Sequence, residues 1–577
     1  MQMRTIVVTG LLAAALAYAQ APMITGGPVN AASYVIRGLP NANVAQGSMF
    51  ILFGSNIGPA KLVNALQFPL PNTLSDTSIQ ITVGGTVTKA IMLFVVSSQV
   101  AAILPSTTPA GSGMLTLTFN GQTSNAVPIN VVASTLGIFT RNQSGSGPGV
   151  LFNFNSQSDQ PLNSLVEAAH PGQVLTLWGT GLGKVTGNEA NGPLPGNLDI
   201  PVTVYVGAKA VTPTYKGRSG CCAGIDQVVF TLPDGVEGCY VSVHVVAGGV
   251  VSNSATIAVT ASGSVCSDPA GFTTADLQRV QKGEPLTIGE IGIFRLHATL
   301  TAGALSTQGN LDLGQGNFRN YLTALDVLGS TRGSVAVLDG LPSLGSCTIL
   351  PYSYSDFISS TLPNQPDPVN FGGLNAGPAL NINGPNGLKQ LPRQNKGTAD
   401  QPFFRYHVPQ NLLGGSIPNV VSGGPDYLDP GNYEVDNGTG GPQVGPFKVN
   451  LTIPVSNPNW TNENSLSNIS RAQDLTINWS GGAVGGLVAV LGSAADPSMG
   501  AGAEFQCIAP AEAGTLIVPA WVLSALPQSG VDSATGLPVG FLLFGTILPH
   551  AVRFEATGID IGYFNWAEIE AKNVVFQ

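Results

Sequence analysis

The sequence predicts an all-β protein: tandem β-sandwiches, a short helical linker and a C-terminal β-rich region. Three observations favour this fold class. The 577 residues include 73 glycines and 42 prolines, about one residue in five, which divide the chain into short segments. Charged residues make up only 9%, against roughly 25% in an ordinary soluble domain, which argues against long charged helices. Many segments, such as Ile79 to Val83, alternate apolar and polar residues as half-buried strands do.

The first 19 residues have the parts of a secretory signal peptide. Arg4 precedes an apolar run from Ile6 to Ala17, and the small-x-small site Ala17-Tyr-Ala19 follows. The run is shorter than the roughly 20 residues of a membrane span, so we expect cleavage after Ala19 rather than anchoring. No later apolar stretch is long enough to cross a bilayer. The mature protein is expected to be secreted, outside the cell, at its surface or in a periplasm.

Residues 20–134 and 135–262 are predicted to be two copies of one module. The segment from Ala45 to Gly58 recurs from Ala169 to Gly183, with the glycines matching at an offset of 125. Two later landmarks recur at an offset of 128: Gln99-Val100 as Gln227-Val228, and Ser124-Asn125 as Ser252-Asn253. Each copy has the size of a sandwich domain. Its short alternating strands, separated by turn signals, favour an immunoglobulin-like fold.

These landmarks resemble the IPT/TIG-type immunoglobulin-like modules that are repeated in secreted proteins of soil acidobacteria. The resemblance covers about Pro28 to Ala261, and the stretch from Gly220 to Tyr240 resembles a cysteine-bearing version of the module. A segment from Leu374 to Leu380 resembles a C-terminal module that accompanies such repeats. That family has no assigned activity, so the resemblance implies a fold and a location but no catalytic residues.

The chain changes character after the second copy. Residues 263–288 predict a linker, because Thr273-Thr-Ala-Asp276 has the form of a capping box and opens a short helical pattern. From residue 289 to 577 the β pattern returns, as in the alternating stretch Phe447 to Ile453. The polar, proline-rich residues 362–401 are either a long loop or a boundary between two subdomains. The sequence leaves that choice open.

Six cysteines follow the signal: Cys221, Cys222, Cys239, Cys266, Cys347 and Cys507. An even count in an exported chain favours disulfides over metal ligation. Neighbouring cysteines rarely bond each other, so Cys221 and Cys222 are each expected to bond one of Cys239 and Cys266, in either combination. That leaves Cys347 for Cys507. The rival hypothesis, a four-thiolate zinc site, lacks a Cys-x-x-Cys pair.

No catalytic residue is predicted. The sequence has no Gly-x-Ser-x-Gly elbow and no HExxH motif, and its five histidines are dispersed: His170, His244, His297, His407 and His550. His170 matches Gln46 of the other copy, and Asp226 matches Ser98. We therefore interpret both His170 and Asp226 as polar loop residues.

No cofactor is predicted, although calcium stays an alternative. The densest acidic cluster consists of Asp426, Asp429, Glu434 and Asp436, and calcium prefers such oxygen-rich loops. The ordered Asp-x-Asp-x-Asp-Gly spacing of a calcium loop is missing, so a plain hairpin is the preferred interpretation. Nucleotide binding has no support, because no glycine-rich loop ends in Gly-Lys-Ser or Gly-Lys-Thr.

The expected function is non-catalytic: adhesion, matrix contact or carbohydrate binding, with a polysaccharide or a cell-surface protein as partner. Trp460 and Trp566 are the candidate ligand-binding aromatics, expected to be exposed. Nucleic acid is excluded as a partner, because 22 Lys and Arg face 32 Asp and Glu. The first alternative is a secreted hydrolase with its catalytic part in 289–577, which predicts a cleft of converging carboxylates. The second is a structural spacer.

Overall fold

The computed structural model describes residues 21–266, 284–302, 305–321, 342–355, 372–399, 402–418, 421–455, 459–533, 536, 538–549 and 551–577, with positions 275, 279 and 282. The predicted signal peptide lies outside these residues. So does the predicted linker helix, except for Ala275, Arg279 and Lys282, which are helical. The described chain is all-β, as predicted.

Module 1, residues 23–132, is a sandwich of two sheets. Its strands are β1 (Met23–Asn30), β2 (Val44–Ala45), β3 (Met49–Ser55), β4 (Val63–Asn64), β5 (Thr73–Leu74), β6 (Thr77–Val83), β7 (Thr86–Lys89), β8 (Ile91–Val96), β9 (Gln99–Ile103), β10 (Gly111–Phe119), β11 (Gln122–Thr123) and β12 (Val127–Val132). The sheet orders are β1-β3-β9-β8-β4 and β2-β12-β10-β6-β5, with β7 and β11 at β6 and β10. The alternation along β6 buries Ile79, Ile81 and Val83 between the sheets.

Module 2, residues 137–259, repeats this plan. Its strands are β13 (Gly137–Ile138), β14 (Gly147–Pro148), β15 (Leu151–Phe154), β16 (Val174–Thr180), β17 (Gly196–Asn197), β18 (Val202–Val206), β19 (Lys209–Val211), β20 (Tyr215–Arg218), β21 (Asp226–Thr231), β22 (Gly238–Ala247), β23 (Val250–Val251) and β24 (Ala255–Val259). One sheet has the order β13-β16-β21-β20-β17 with β15 beside β16. The other is β14-β24-β22-β18-β19, with β23 beside β22.

A landmark that the two copies share makes the same contacts in both. Asn125 accepts a hydrogen bond from the backbone nitrogen of Ile24 at 2.8 Å and donates one to its carbonyl at 3.1 Å. Asn253 does the same to Ile138, at 2.7 and 3.0 Å. Each asparagine thereby attaches the first strand of its module to the segment that leads into the last strand. The repeated sequence therefore corresponds to a repeated structure.

The C-terminal region contains one large sheet and two small ones. Its elements are β25 (Leu286–Ala302), β26 (Leu305–Tyr321), β27 (Cys347–Ser353), β28 (Gly372–Gly373), β29 (Ala379–Gly384), β30 (Gly387–Asn395), β31 (Phe404–Ile417), β32 (Val421–Ser422), β33 (Gly431–Asp436), β34 (Lys448–Ile453), β35 (Asn459–Trp460), β36 (Asn468–Ile469), β37 (Leu475–Ser480), β38 (Leu487–Asp496), β39 (Ala501–Pro510), β40 (Thr515–Val518), α1 (Ala520–Leu523), β41 (Gly540–Ile547), β42 (Val552–Phe554), β43 (Ile561–Asn573) and β44 (Val575–Phe576).

The large sheet has the order β27-β39-β38-β41-β43-β25-β26-β31-β30-β29-β33-β34, with β28, β32 and β42 attached at its sides. Strands β25 and β43 run parallel, which brings residues some 270 positions apart in the sequence side by side. The sheet curls, since β34 at the end of the order contacts β42 and β43. Within residues 362–401, the part from Ala379 to Asn395 is a hairpin of this sheet.

The large sheet contributes to two apolar clusters. The first, which we call core A, includes Val490, Phe505 and Phe544 and is covered by the small sheet β35-β37-β40. The second, core B, includes Ile293 and Trp566 and lies inside the curl of the sheet. Together these clusters account for most of the apolar side chains that the C-terminal region buries.

Both modules share apolar contacts with the C-terminal region. Core A includes Val35 and Leu39 of module 1 and Val251 of module 2. A further cluster joins Leu165 of module 2 to Tyr563 of the C-terminal region. Because separating these parts exposes apolar surface to water, burial at the contacts stabilises the arrangement of the three parts.

The structure contains the predicted Cys347–Cys507 disulfide but differs from the expectation for the other four cysteines. Cys221 bonds its neighbour Cys222, and Cys239 bonds Cys266. The expected cross-pairing is wrong because the cysteines lie on opposite sheets of module 2. Cys221 and Cys222 follow β20 in one sheet, whereas Cys239 lies in β22 of the other.

The Cys347–Cys507 bond closes a loop of 160 residues, between directly opposed positions of β27 and β39. Replacing both cysteines by alanine should lower the free energy of unfolding by several kcal/mol, on the order of 4 to 5 in the loop-entropy model. The Cys221→Ala/Cys222→Ala variant should lose far less, because that bond closes almost no loop. Denaturant titration measures both variants, and equal losses would contradict the assignment of the stabilising bond.

Candidate functional site

A group of polar and charged side chains lies on β25, β26 and β43, three central strands of the large sheet. Its side chains, which we call the polar band, are Arg295, His297, Asn310, Asp312, Glu568 and Glu570. Strand register places them together, since Arg295 is opposite both Asp312 and Glu568, and His297 is opposite both Asn310 and Glu570. Side chains at directly opposed positions share one face of a sheet.

The polar band lies between the two apolar cores. Two residues before Arg295 and Glu568, the same face carries Ile293 and Trp566 of core B. On the neighbouring strand β41, Phe544 of core A is opposite Glu570. The band therefore occupies the seam where neither core covers the sheet, and there its charged groups can be partly hydrated.

Arg295 and Asp312 form a bidentate ion pair. Nε and Nη2 of the guanidinium donate to the two carboxylate oxygens at 2.8 and 2.9 Å. The backbone nitrogens of Tyr427 and Leu428 also donate to Asp312, at 2.5 and 2.8 Å. Burial alone raises the pKa of Asp312, but the guanidinium and these backbone donors together hold it below its usual value. Asp312 thereby also holds the loop that carries Tyr427, whose ring is buried in core B.

His297 is held by acceptors at both ring nitrogens. Nε2 lies 2.7 Å from Oε1 of Glu568, and Nδ1 lies 2.8 Å from Oδ1 of Asn310. The hydrogen bond to Glu568 is the main reason why the pKa of His297 is raised. An imidazolium satisfies both contacts, because each of its nitrogens is then a donor. In this arrangement neither nitrogen is free to take a proton from a substrate.

Glu570 is a second group of the band whose pKa is raised. Burial, followed by the charge of nearby Glu463, raises the pKa of Glu570 to about 7. Its neighbour Glu568 lies two positions away on the same face and accepts from His297. The seam thus places the carboxyl group of Glu570, whose pKa is raised, beside the carboxyl group that accepts from His297.

The structure divides the acidic cluster of the sequence. Asp426 and Asp429 lie near Arg295, with oxygens 4.0 and 3.7 Å from guanidinium nitrogens. Glu434 instead pairs with Lys448 at 2.8 Å across a hairpin. In a separate contact, the carboxylate of Asp436 accepts from Asn381 and from the backbone nitrogen of Gly438.

The four acids therefore do not converge on one point. In the described part of the chain, no group of three or more His, Cys, Asp or Glu side chains is arranged to hold a metal ion.

The two candidate aromatics are not exposed, contrary to expectation. Trp460 is 4% exposed and stacks on Phe544 in core A, with ring centroids 5.6 Å apart. Trp566 is 5% exposed and belongs to core B. Trp460 lies in a strand rather than in a polar turn, because it is the second residue of β35, which pairs with β37 of the sheet that covers core A. A flat aromatic surface for stacking on sugar rings is therefore not formed by these two residues.

Asp226 is not the loop acid that the sequence suggested. It is the first residue of β21, is fully buried, and forms an ion pair with Arg218 of β20. Its second oxygen accepts from the backbone nitrogens of Gly181 and Leu182, at 2.7 and 2.8 Å. The prediction failed because the copy-to-copy comparison with Ser98 gave no sign of a guanidinium opposite Asp226.

This ion pair extends across the junction between the modules. Nη2 of Arg218 donates to the carbonyl of Gly47 in module 1, at 2.7 Å. Gly47 has a φ of +74°, and a Cβ there would meet Arg218 Nη2 at 2.3 Å, so only glycine fits. Close by, the backbone nitrogen of Ser106 donates to Glu189 at 3.0 Å, again from module 1 to module 2.

The histidines of module 2 have structural contacts. Nδ1 of His170 lies 2.9 Å from the carbonyl of Thr260, a loop contact of the kind predicted. His244 is fully buried under Trp521 of α1, with ring centroids 5.0 Å apart, and bonds Ser254 at 2.6 Å. Burial lowers the pKa of His244 to about 3, so the ring is neutral. His407 bonds a neighbouring carbonyl, and His550 lies outside the described residues.

Sequence reasoning missed most of the polar band and the junction pair. One signal was available in β25 and β43, where the pattern on one face changes from apolar to charged within a strand. Ile291 and Ile293 are followed by Arg295 and His297 at the same period of two. When one face of a strand changes from apolar to charged residues, the apolar core no longer covers that face beyond the change. Such a pattern therefore predicts the edge of a core, which here is the seam.

Comparisons with known proteins find similarity only among solved structures. No family model and no curated protein matches the chain. Domains 5–6 of the S-layer protein SbsC are similar at 14% identity over 41% of this chain and 98% of that one, with a TM-score of 0.16. Sidekick-1 immunoglobulin domains 1–4 are similar at 9% identity over 95% and 98% of the two chains, with a TM-score of 0.11.

A three-domain immunoglobulin segment of titin is similar at 10% identity over 76% of this chain and 99% of that one, with a TM-score of 0.13. The assignment of the fold rests on the strand pairings themselves rather than on these matches. In the described residues, no helix has the length and apolar character needed to cross a membrane.

The buried pair at the junction predicts a large loss of stability when it is broken. Asp226→Asn leaves the Arg218 charge buried without its counter-ion and should lower the free energy of unfolding by about 3–5 kcal/mol. Glu434→Gln, which breaks an exposed pair, should cost far less. Denaturant titration of the two variants checks this, and similar small losses would show that the junction tolerates an unpaired guanidinium.

His244 predicts an acid-sensitive contact between module 2 and the C-terminal region. Its pKa of about 3 in the folded state lies below the ordinary 6.5, so the unfolded state binds the extra proton. The contribution to stability is complete above pH 6.5 and decreases as the pH falls towards 3. Between pH 7.5 and 5 the loss should be about 2 kcal/mol.

The His244→Gln variant should lack this part of the pH dependence, whereas His170→Gln should keep it. The measurement is the free energy of unfolding of the wild-type chain and both variants at the two pH values. Parallel pH profiles for the wild type and His244→Gln would contradict the prediction.

Proposed function

We propose that the chain is an exported, non-catalytic multidomain binding protein for adhesion, matrix contact or carbohydrate binding. The polar band of the C-terminal region is the binding surface, and the two immunoglobulin-like modules hold it in place. The observation that carries this proposal is that charged groups of module 2 are buried in contacts at the junction between the modules. Arg218, Asp226 and Glu189 are buried in the junction contacts. Charged groups that are buried in such contacts stabilise the arrangement of the modules and are not accessible to a substrate.

The polar band supplies the groups that a polyhydroxylated ligand requires. Carboxylates accept hydrogen bonds from hydroxyl groups, and guanidinium and amide groups donate to them. Arg295 and His297 are restrained by Asp312 and Glu568, which reduces the entropy lost on binding. A polysaccharide therefore fits this surface better than an apolar peptide does, and a cell-surface protein would have to present similar polar groups.

The modules are proposed to be of the IPT/TIG type found in secreted acidobacterial proteins. Support comes from the matched landmarks, whose asparagines make the same contacts in both copies. The proposed boundaries are 20–134 and 135–262 for the modules, 263–288 for the linker and 289–577 for the C-terminal region. They agree with strands that end at residues 132 and 259.

Export is supported by the disulfides and by the signal pattern of the first 19 residues. The Cys239–Cys266 and Cys347–Cys507 bonds join residues distant in sequence, and such bonds persist in oxidising compartments. We infer that the mature protein acts outside the cell, at its surface or in a periplasm.

A second candidate function, hydrolysis in the C-terminal region, has one observation in its favour. Glu568 and Glu570 share one face of β43, and burial raises the pKa of Glu570 to about 7. A carboxylic acid with such a raised pKa beside a second carboxyl group is the arrangement that glycoside hydrolysis uses. The fully engaged ring of His297 argues against a histidine base, so this candidate depends on the two glutamates.

The full chain should bind immobilised polysaccharides or cell-wall material, and the Glu568→Gln/Glu570→Gln variant should bind at least tenfold more weakly. The reason is that the charged acceptors of the band become neutral amides. Glu434→Gln is the matched control and should bind like the wild type, because its carboxylate pairs with Lys448 rather than with a group of the band. The measurement is retention of the three proteins on the same panel, together with release of reducing sugar.

The outcomes separate the candidates. Binding without release of product, weakened only by the band variant, supports the binding function. Release of product that Glu570→Gln abolishes would replace it with hydrolysis. Equal retention of all three proteins would exclude the polar band as the binding surface.

A further inference from the structure

The loop that joins β20 to β21 carries a disulfide between two neighbouring residues. Cys221 and Cys222 bond each other, and Cys221 is exposed whereas Cys222 is half-buried. The other four cysteines are at most 5% exposed, so their two bonds are shielded from a reagent in solution. A disulfide exchanges with a thiol only where the attacking thiolate can reach a sulfur atom. The bond between Cys221 and Cys222 is therefore the accessible one of the three.

A buried hydroxyl group lies beside the exposed sulfur atom. Oγ of Ser219 donates to Sγ of Cys221 at 3.1 Å and accepts from the backbone nitrogen of Cys221, also at 3.1 Å. Ser219 is fully buried, and its backbone nitrogen donates to the carbonyl of Ile225 at 2.9 Å, so the hydroxyl is held in place. A donor that points at a sulfur atom stabilises the thiolate that forms when the disulfide opens, and a stabilised thiolate leaves faster.

The same loop packs on module 1. Ala223 belongs to an apolar cluster with Ile103 of module 1. A Cβ at Gly224 would meet Cγ1 of Ile103 and Cγ of Met49, each at 2.9 Å. The carbonyl of Gly224 accepts from Oγ1 of Thr180 at 2.6 Å, and this hydroxyl accepts from the backbone nitrogen of Met49 at 2.9 Å. The residues that directly follow the cysteine pair thus connect the loop to the other module.

We propose that the bond between Cys221 and Cys222 is a site of thiol–disulfide exchange with a small dithiol, and that its reduction loosens the junction between the modules. The intact disulfide closes a small ring that contains the peptide bond between the two cysteines. Opening this ring restores rotational freedom to both side chains and to the backbone before Ala223, so the contacts with module 1 then cost more conformational entropy. This inference goes beyond the proposed function, because it assigns chemistry to module 2 rather than to the polar band.

The exchange transfers two electrons from the dithiol to the protein disulfide. A thiolate of the dithiol attacks Sγ of Cys222 and forms a mixed disulfide, and Sγ of Cys221 leaves as the thiolate to which Ser219 donates. The second thiol of the dithiol loses its proton to water and attacks the dithiol's own sulfur in the mixed disulfide. Cys222 then leaves, both cysteine thiolates take up protons from water, and the dithiol ends as a cyclic disulfide.

Dithiothreitol is the probe, added to the full chain under native conditions, with alkylation of the free thiols at timed intervals. Mass spectrometry should show Cys221 and Cys222 alkylated about tenfold or more faster than the other four cysteines, because only their bond is exposed. In the Ser219→Ala variant this bond should open about fivefold more slowly, and alkylation of the freed Cys221 thiol should require a higher pH. Reduction of all three bonds at one rate, or a Ser219→Ala variant that matches the wild type in both respects, would overturn the assignment.

The second measurement is hydrogen exchange at the junction, in the oxidised chain and in the chain reduced by dithiothreitol. The backbone N–H groups of Met49 and Leu182 should exchange about fivefold faster after reduction, because the loop that they contact has gained freedom. The Cys221→Ala/Cys222→Ala variant is the matched control and should exchange at the faster rate with or without dithiothreitol. The inference fails if exchange is the same before and after the bond opens, or if the variant still responds to dithiothreitol.

Discussion

The arrangement of the two modules depends on one buried ion pair, Arg218 with Asp226. Two charges removed from water cost several kcal/mol each unless every donor and acceptor finds a suitable partner. In this protein part of the compensation comes from the other module, because the guanidinium also donates to the carbonyl of Gly47. If the modules moved apart, that nitrogen would lose its acceptor and either stay buried or become hydrated. Either change would disturb the interface, which has further contacts at Glu189 and Thr180. The pair therefore makes the two sandwiches one structural unit.

The sequence predicted the features that occur in both modules. It did not predict the contacts that only one of the two modules makes. The matched glycines and asparagines identified two similar modules, because each such residue has a backbone role that only its type can fill. Gly47 and Gly172 illustrate the limit of this method, since they occupy matching left-handed turns. A Cβ at Gly172 would meet nothing, whereas one at Gly47 would meet Arg218 of the other module. Comparing the copies predicts the turn that they share, but not the interface that only one of them forms.

The C-terminal region shows why its site could not be predicted. Strand patterns identified much of the β structure, including the alternating stretch from Phe447 to Ile453, but strand order is set by contacts between distant residues. The polar band exists because β43 runs parallel to β25, which brings Glu568 to His297 across 271 positions. The disulfide pairings also depend on how the strands are arranged in the fold. Cys347 and Cys507 were paired by elimination, whereas Cys221 and Cys222 were assigned wrongly because the sheet on which each cysteine lies is not visible in the sequence.

The junction between the modules and the polar band of the C-terminal region differ in how their charges are balanced. At the junction, both carboxylate oxygens of Asp226 and both terminal nitrogens of the Arg218 guanidinium are met by an opposite charge or a backbone group, so little remains to interact with a ligand. At the seam between the two cores, carboxylates outnumber the cations Arg295 and His297, and the charge of His297, which is opposite Glu570, only partly offsets the burial of that carboxyl group. Its raised pKa is the consequence, because a buried carboxylate near Glu568 and Glu463 is more stable with a proton. Under the proposed binding function, a ligand hydroxyl that donates a hydrogen bond to Glu570 would take the place of that proton, so the environment that raises the pKa of Glu570 would also favour a hydroxyl donor.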